Sequence, residues 1–511
     1  MYLLITQYTY KGKKYRHAKI VEGYRVGKKV RHRVLMNVGR IETEEDEKRA
    51  RELLEALKKG EKPFLLKELK IERVKEFGLI YAARRYLEKI GMEAVIRKVF
   101  EKERRHFDLY KVFLYAGINR LYKPGSDNNF AEWLKEVWID EKIELHHVYR
   151  MLDAVEKRKE EIEREIFRFL KKSKEIKTDL VFYDLTSTYF ESSSSSLAKY
   201  GYSRDEKQGK KQIVIGVILC DGLPIAHYVF EGNTVDKRTL KQTVEDLKKR
   251  FNLRRIVFVA DRGIITVENL KELEENEYDY ILATKRRNER LVRKLMTKPI
   301  EGSETICVKE VYREGNRRYI LCMNKEVRKE ELENLKKLRK ELERFLAENK
   351  DKKDLKMKAY KKFGRAVRFI DFERCKIDER TWNYERKIAG RYLLVTTTEM
   401  EARKVLERYK ELKEVEMFFR DLKHAVNVRP IYHRKDERIR AHVFVCVLSL
   451  LIKKLIERAS GSNAVKELRR IRVSEIRAGE EDFYFVTKLT KEQRDIFDSL
   501  KIELPLKVLK K

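Results

Sequence analysis

Residues 178–191 read TDLVFYDLTSTYFE, an apolar strand-like run broken by one carboxylate, Asp184. Two further runs follow at once, KKQIVIGVILCDG (210–222) and LPIAHYVFEGN (223–233), separated only by a turn containing Asp-Gly. Short β-branched and aromatic runs flanked by turn residues predict three consecutive strands, the last two a hairpin. The period then lengthens. DKRTLKQTVEDLKKRF (236–251) has helical spacing, RRIVFVADRG (254–263) is again a strand ending on an aspartate, Asp261, and TVENLKELEENE and YDYILATK supply a helix and a strand. A three-strand meander followed by helix–strand–helix–strand predicts an α/β layer on a mixed sheet.

That order is the order of the RNase H-like fold, and residues 176–290 are assigned to it. Residues 291–390 break the alternation with a hairpin (TICVKEVYREGNRRYILCMN) and a long helix, and are expected to form a β-rich and helical insertion domain. The stripe Leu332, Leu335, Leu338, Leu342 and Phe345 on that helix has packing spacing. The core is expected to resume over 391–460, beginning with the strand RYLLVTT and including one continuous helix over 399–424. Residues 461–511 read as a C-terminal tail.

The charge narrows the partner. The 511-residue chain carries a formal net charge of +35 with 40% charged residues, and its 42% hydrophobic content is enough for several cores. So positive a surface suits a polyanion. The longest apolar run, VFVCVLSLLI (443–452), is about half of a membrane span. No membrane partner is therefore expected, and duplex DNA in a prokaryotic cytoplasm or nucleoid is. The abundance of Lys and Glu over Gln fits a thermophile's ion-pair networks. Five scattered cysteines without a CxxC pair argue against disulfides or zinc.

The positive charge is most lopsided at the start. Residues 1–40 hold eleven Lys or Arg against one acid, Glu22, with interleaved tyrosines and glycine turns. A basic β module over 1–42 that contacts DNA is expected, followed by a helical DNA-binding region over 43–175.

Two aspartates at neighbouring strand ends can share a hard divalent cation, and two such ions about 3.5–4 Å apart serve phosphoryl transfer. A third carboxylate is then needed. ERYKELKEVEMFFRDLKHAV (407–426) offers Glu407, Glu411, Glu414, Glu416 and Asp421. Tyr409, Glu416 and Lys423 are each seven residues apart, which on one helix confines them to a wedge of roughly 40°. A solvated face gives the same spacing, so spacing alone leaves the choice open.

The set resembles insertion-sequence DDE transposases that carry the signature Y-x2-R-x3-E-x6-K, matched here by Tyr409, Leu412, Glu416 and Lys423. DLTSTYFE, GYSRDEKQGKKQIVIGVIL, FEGNTVDKRTL, VFVADRG and VRPIYHRKDERIRAHVFVCVLSLL resemble that family's blocks, in order. The resemblance implies Asp184, Asp261 and Glu416 as catalytic and metal-binding residues, two Mg²⁺ or Mn²⁺ ions, inverted-repeat ends and target DNA as substrates, and a homodimer in the synaptic complex. It implies DNA contacts from Tyr409 and Lys423, and from Trp382 through a base flipped at the element's end, although packing in the insertion is the favoured reading of that indole. Arg204, Lys210, Lys211, Arg286 and Arg287 flank the strand ends where phosphates would lie, and on the helix Arg420 or Lys413 would stand in for the signature arginine as a phosphate contact. The departure is Leu412, which cannot supply the planar fork of the signature arginine. The alternatives are an RNase H-like metal-dependent nuclease, or a degraded copy that binds DNA without cutting it.

Overall fold

The computed structural model describes residues 1–10, 13–60, 69–103, 105–176, 180–190, 195–201, 209–234, 243, 246–247, 249–251, 257–260, 267–275, 277–284, 290–349, 354–478 and 481–509. The chain divides into two compact units.

The first unit comprises Met1–Glu76, Arg472–Lys488 and Pro505–Lys511. Its N-terminal strands β1 (Tyr2–Tyr10), β2 (Lys13–Val26) and β3 (Lys29–Ile41) form an antiparallel sheet in sequence order. The helix Glu44–Lys58 begins at Thr43, whose side chain accepts from Asp46 N while Asp46 accepts from the Thr43 backbone, a capping box that fixes its first turn. Ala50 packs on Ala18 and Ile41, with Leu3, Ile5 and Val38 around them, so strands and helix share one small core. The second sheet of this unit corrects the reading of 461–511 as a tail. β4 (Leu69–Glu76) pairs with β15 (Arg472–Ala478), which pairs with β16 (Glu481–Val486) and then β17 (Val508–Leu509). β4 also interrupts the stretch expected to be wholly helical. Exposed, charge-rich strands show weak alternation, and their partners lie some four hundred residues away, so no local pattern marks them.

The second unit, Phe77–Ile471 with Leu489–Leu504, holds the mixed sheet. β5 (Leu180–Tyr189), β6 (Gln212–Cys220) and β7 (Leu223–Glu231) are the antiparallel meander; Asp221 and Gly222, at φ +48° and +74°, form the two-residue turn between β6 and β7. β8 (Val257–Ala260) lies parallel to β5 on its other side, and β9 (Asp279–Ala283) parallel to β8. The order β9-β8-β5-β6-β7, antiparallel on one side of β5 and parallel on the other, is the RNase H-like arrangement. β6 is buried along its whole length, as a central strand covered on both faces must be. The helix expected over 236–251 falls largely outside the described residues.

The insertion's hairpin, β10 (Ile306–Glu314) and β11 (Arg317–Asn324), does not stand apart. β11 pairs with β14 (Arg391–Thr396), and β14 with β9, so the hairpin widens the core sheet to eight strands. The rest of the insertion is helical: Lys325–Glu348, Leu355–Phe363 and Glu379–Ile388 surround a core of Leu342, Phe345, Leu346, Phe369 and Trp382, with β12 (Ile370–Asp371) and β13 (Lys376–Ile377) as the strands among its described residues. The leucine stripe is packing: Leu342 and Phe345 are buried in this core, and Leu335 and Leu338 pack against it.

The helix Asp436–Ser460 is buried without a break from Ala441 to Ile452 and packs on β7 and on the helices Leu109–Tyr122 and Leu145–Lys157. Leu109–Tyr122 is itself buried except at Lys111. Among the described residues no helix is long and apolar enough to cross a membrane. All five cysteines are free.

Candidate active site

Asp184 lies on β5 opposite Val217 of β6, half-buried between the buried Tyr183 and Leu185. β5 and β8 are matched as Leu180↔Val257, Val181↔Phe258 and Phe182↔Val259. Asp184 stands two residues beyond the last matched pair on its strand. In the sequence Asp261 stands two residues beyond Val259, although it lies outside the described residues, as do Arg204, Arg286 and Arg287.

The helix that carries Glu416 departs from expectation. The chain forms two helices, Ala402–Lys410 and Leu412–His424, separated at Glu411. The first buries Val405 and Leu406; the second buries Val415, Phe418, Phe419 and Leu422. At 100° per residue these two sets would lie about 140° apart on one unbroken helix, so only a break lets both face the core. Arg408 and Glu411, 2.8 Å apart, pair across the break. The stripe through Tyr409, Glu416 and Lys423 is therefore interrupted. Tyr409 belongs to the first helix, its ring 6.3 Å from that of Tyr392 on β14. Glu416, Arg420 and Lys423 remain together on the second, which packs on β5.

The five acidic candidates separate by their partners. Glu407 lies 3.5 Å from Lys404, Glu411 pairs with Arg408, and Asp421 lies 2.9 Å from Lys453 of the buried helix. Glu414 turns toward the Asp221–Gly222 turn, where a Cβ on Gly222 would sit 2.4 Å from its Oε2, and burial pushes its carboxyl up. Glu416 is exposed, about 110° round the helix from the centre of the buried face, and makes no ion pair with any described residue. Lys413, Glu416, Arg420 and Lys423 fall within an arc of roughly 80° on that helix, a carboxylate set among three cations. Leu412 is the first residue of the helix, just past the break.

Beyond Asp184, β5 ends at Tyr189. The Lys210 ammonium lies 4.8 Å and the Arg429 guanidinium 5.2 Å from the centre of its ring. Lys210 was expected near this strand end, and neighbouring Lys211 accepts the Phe190 amide through its carbonyl. Arg429 was missed, because nothing in the run VRPIYHR ties it to a strand more than two hundred residues earlier. Trp382 is 2% exposed, edge-on to Phe369 at 5.0 Å with the Arg339 guanidinium over its face. In this arrangement the indole belongs to the insertion's core and has no face free for a base.

A buried charge cluster supports the sheet from behind. The Glu163 carboxylate accepts from Lys159 Nζ (3.0 Å), His227 N (3.0 Å), His227 Nδ1 (2.7 Å) and Arg250. Arg250 also reaches Asp246, and Asp246 accepts from the Tyr228 hydroxyl at 2.6 Å. Together these groups tie the helix Lys159–Lys172 to the edge strand β7. Although burial opposes charge on Glu163, the Lys159 and Arg250 cations and the hydrogen bonds from His227 hold it ionised, well below the usual carboxylate range.

Among the described residues no three His, Cys, Asp or Glu side chains are gathered as a metal cluster. The two candidates that are described, Asp184 and Glu416, are carboxylates, whose hard oxygens would suit divalent cations of the magnesium class.

The sequence matches the family described as Transposase DDE domain over residues 176–452, and IS1634 family transposase, N-terminal domain, over residues 3–68. The latter span takes in the helix packed on the first sheet, beyond the boundary expected at residue 42. No curated protein matches. Among solved structures, piggyBac transposase in a synaptic complex with hairpin DNA aligns at 10% identity over 84% of this chain and 82% of that one, with a TM-score of 0.36. Mos1 transposase, in a paired-end complex with the left transposon end, aligns at 13% identity over 35% of this chain and 60% of that one, with a TM-score of 0.16. Likeness at that level carries no weight in the assignment, which rests on the family matches. With a DDE domain match covering more than half its length and an insertion-sequence N-terminal domain before it, the chain belongs to the insertion-sequence DDE transposases, metal-dependent enzymes of DNA cleavage and joining.

Proposed function

We propose that Asp184, Asp261 and Glu416 form the catalytic set, holding two Mg²⁺ or Mn²⁺ ions between the ends of β5 and β8 and the helix Leu412–His424. The observation that carries the reading is the parallel register of β5 and β8 combined with an exposed, ion-pair-free Glu416 on a helix packed against β5. When bound, such ions activate an attacking oxygen and stabilise the leaving one. The chain supplies the rest. Asp184 is fixed by its strand, and Glu416 is presented by a helix whose buried face locks its rotation. Lys413, Arg420 and Lys423 beside it would neutralise the scissile strand's phosphates, the positioning and charge neutralisation on which phosphoryl transfer depends. Arg420 and Lys413 take over the role the signature gives to the residue at 412.

The substrate is an insertion-sequence end, cut to leave a 3′-hydroxyl that then attacks target DNA. The basic N-terminal module and the helices that follow it would recognise the ends, and a homodimer would pair two of them, in the cytoplasm of a prokaryote. Lys210 and Arg429, drawn together on Tyr189 at the far end of β5, five residues beyond Asp184 and on the other face of the strand, would hold a more distant stretch of the backbone.

The test uses a supercoiled plasmid carrying the gene and its flanking DNA, incubated in Mg²⁺ with the full chain, with Glu416→Gln and with Asp184→Asn. The wild type should nick or excise. Both variants should lose at least a thousandfold in cleavage rate while binding the same DNA within about threefold, a loss of about 4 kcal/mol in transition-state stabilisation. Cleavage by Glu416→Gln within tenfold of the wild type would remove residue 416 from the site.

A further inference from the structure

The N-terminal sheet is unequal in length. β1 pairs with β2 only from Tyr10↔Lys13 to Tyr2↔Val21, whereas β2 and β3 stay paired out to Val26↔Lys29. Residues 22–34 therefore continue as a two-stranded ribbon past the edge of β1, and every one of them is exposed. The turn places Gly27 first, at φ +61°, where a side chain would be strained. Two irregularities in the β2–β3 register, between Ala18 and Lys19 and between Ile20 and Val21, sharpen the twist at its base.

The ribbon's two faces differ. On one, Tyr24 lies opposite Arg31, flanked by Lys29 opposite Val26 and Arg33 opposite Glu22. On the other, the Tyr2 hydroxyl and His32 Nδ1 are 2.6 Å apart, beside Gly23, whose added Cβ would sit 3.7 Å from the Tyr2 ring. That second face is braced at its base against its own sheet, with the exposed Arg25–Val30 pair beyond it. The first is open, with Tyr24 47% and Val26 50% exposed. Arg25, Lys28, Lys29, Arg31 and Arg33 make no ion pair with any described residue, and Glu22 is the lone acid of the ribbon.

Size and charge select the occupant. Five paired positions at about 3.3 Å each give a projection of about 17 Å, with strands about 4.8 Å apart. The major groove, about 12 Å wide and 8.5 Å deep, admits a two-stranded ribbon; the minor groove, about 6 Å wide, does not. A second copy of the ribbon would meet the first as like charge on like charge. Exposed Val26 and Tyr24 among the arginines distinguish it from a merely solvated basic loop. They give apolar surface for thymine methyls where the arginines give forks for guanine.

We infer that this ribbon is a base-reading element that enters the major groove of duplex DNA. Its Tyr24–Lys29–Arg31–Arg33 face meets base edges, and Arg25 and Lys28 meet phosphates. The inference rests on the transposase reading for its substrate but not on the catalytic residues. Its test is a selection from a random-sequence duplex library by the full-length chain in EDTA, where no cleavage can occur, so failure of the metal site would go unseen here and failure of the ribbon unseen in the cleavage assay.

The wild type should enrich a motif. Arg31→Lys/Arg33→Lys keeps the charge and removes the planar forks. It should lose at least tenfold in affinity for the enriched duplex while binding an unselected duplex within threefold, and should no longer enrich the same motif. Arg31→Ala/Arg33→Ala should lose the motif and also flatten the salt dependence of binding. A thermal melt within 2 °C of the wild type identifies each variant as folded, and the lysine pair serves if the alanine pair is not. An unchanged motif in the lysine variant would overturn the inference, leaving a ribbon that touches only phosphates. So would a wild-type chain that enriches nothing.

Discussion

Glu163→Gln offers a sharp test of what holds the catalytic sheet in shape. The substitution is nearly isosteric, but it removes the carboxylate paired with Lys159 and His227, leaving Glu156 as a further acid beside Lys159, and it removes one of the two carboxylates paired with Arg250 among the described residues. The Glu163 side chain is 4% exposed and that of Arg250 also 4%, so water cannot replace the lost charge. Breaking one partner out of a buried ion pair costs about 3–5 kcal/mol. The unit that contains it has roughly 400 residues. At about 2.1 cal/mol/K per residue its unfolding entropy is about 0.9 kcal/mol/K, so the melting temperature should fall by about 4–6 °C. Differential scanning calorimetry at pH 7.5 reads this directly, and Glu416→Gln, exposed and without an ion pair, should move it by less than 1 °C. A Glu163→Gln shift below 1 °C would refute the reasoning, showing that Asp246 suffices for Arg250 and Glu156 for Lys159.

The pH dependence of stability follows from the buried histidines. Burial, reinforced by Lys159, lowers His227 to about 4, and burial with Arg120 lowers His442 well below its ordinary value, so both are neutral when folded. The unfolded chain takes up these protons near pH 6.5. Stability should hence be full above that pH and fall toward pH 4, by about 2 kcal/mol for each histidine at pH 5. A melting temperature as high at pH 5.0 as at pH 7.5 would contradict it. Trp382→Ala should destabilise the insertion's helical core by about 3–5 kcal/mol, and Trp382→Phe should recover most of that together with full cleavage. Full stability with lost cleavage in Trp382→Ala would instead return the indole to DNA. Leu412→Arg should raise cleavage of end DNA or leave it unchanged, because the position opens the Glu416 helix beside Lys413; a tenfold loss would show that the signature's clamp is foreign to this chain. Arg429→Ala should weaken binding to duplex DNA about threefold to tenfold in a salt-dependent way, and an unchanged affinity would take the Tyr189 end of β5 out of the DNA track.

The sequence by itself determined the meander, its Asp-Gly turn and the position of Asp184 on β5, because fully apolar runs such as QIVIGVILC permit little besides a central strand and each neighbour is next in sequence. It also marked the lopsided charge of the first forty residues, which needs only counting. Tertiary structure decided the rest. The helix bearing Glu416 breaks at Glu411 because two buried faces about 140° apart must reach one core, a requirement absent from the spacing of Tyr409, Glu416 and Lys423 considered alone. The pairings of β4 with β15 and of β11 with β14 join segments whose backbone groups find partners only across long loops. The gathering of Lys210 and Arg429 on Tyr189 likewise depends on where the fold returns. Local periodicity records which face of an element is apolar; it does not record which distant element will cover it.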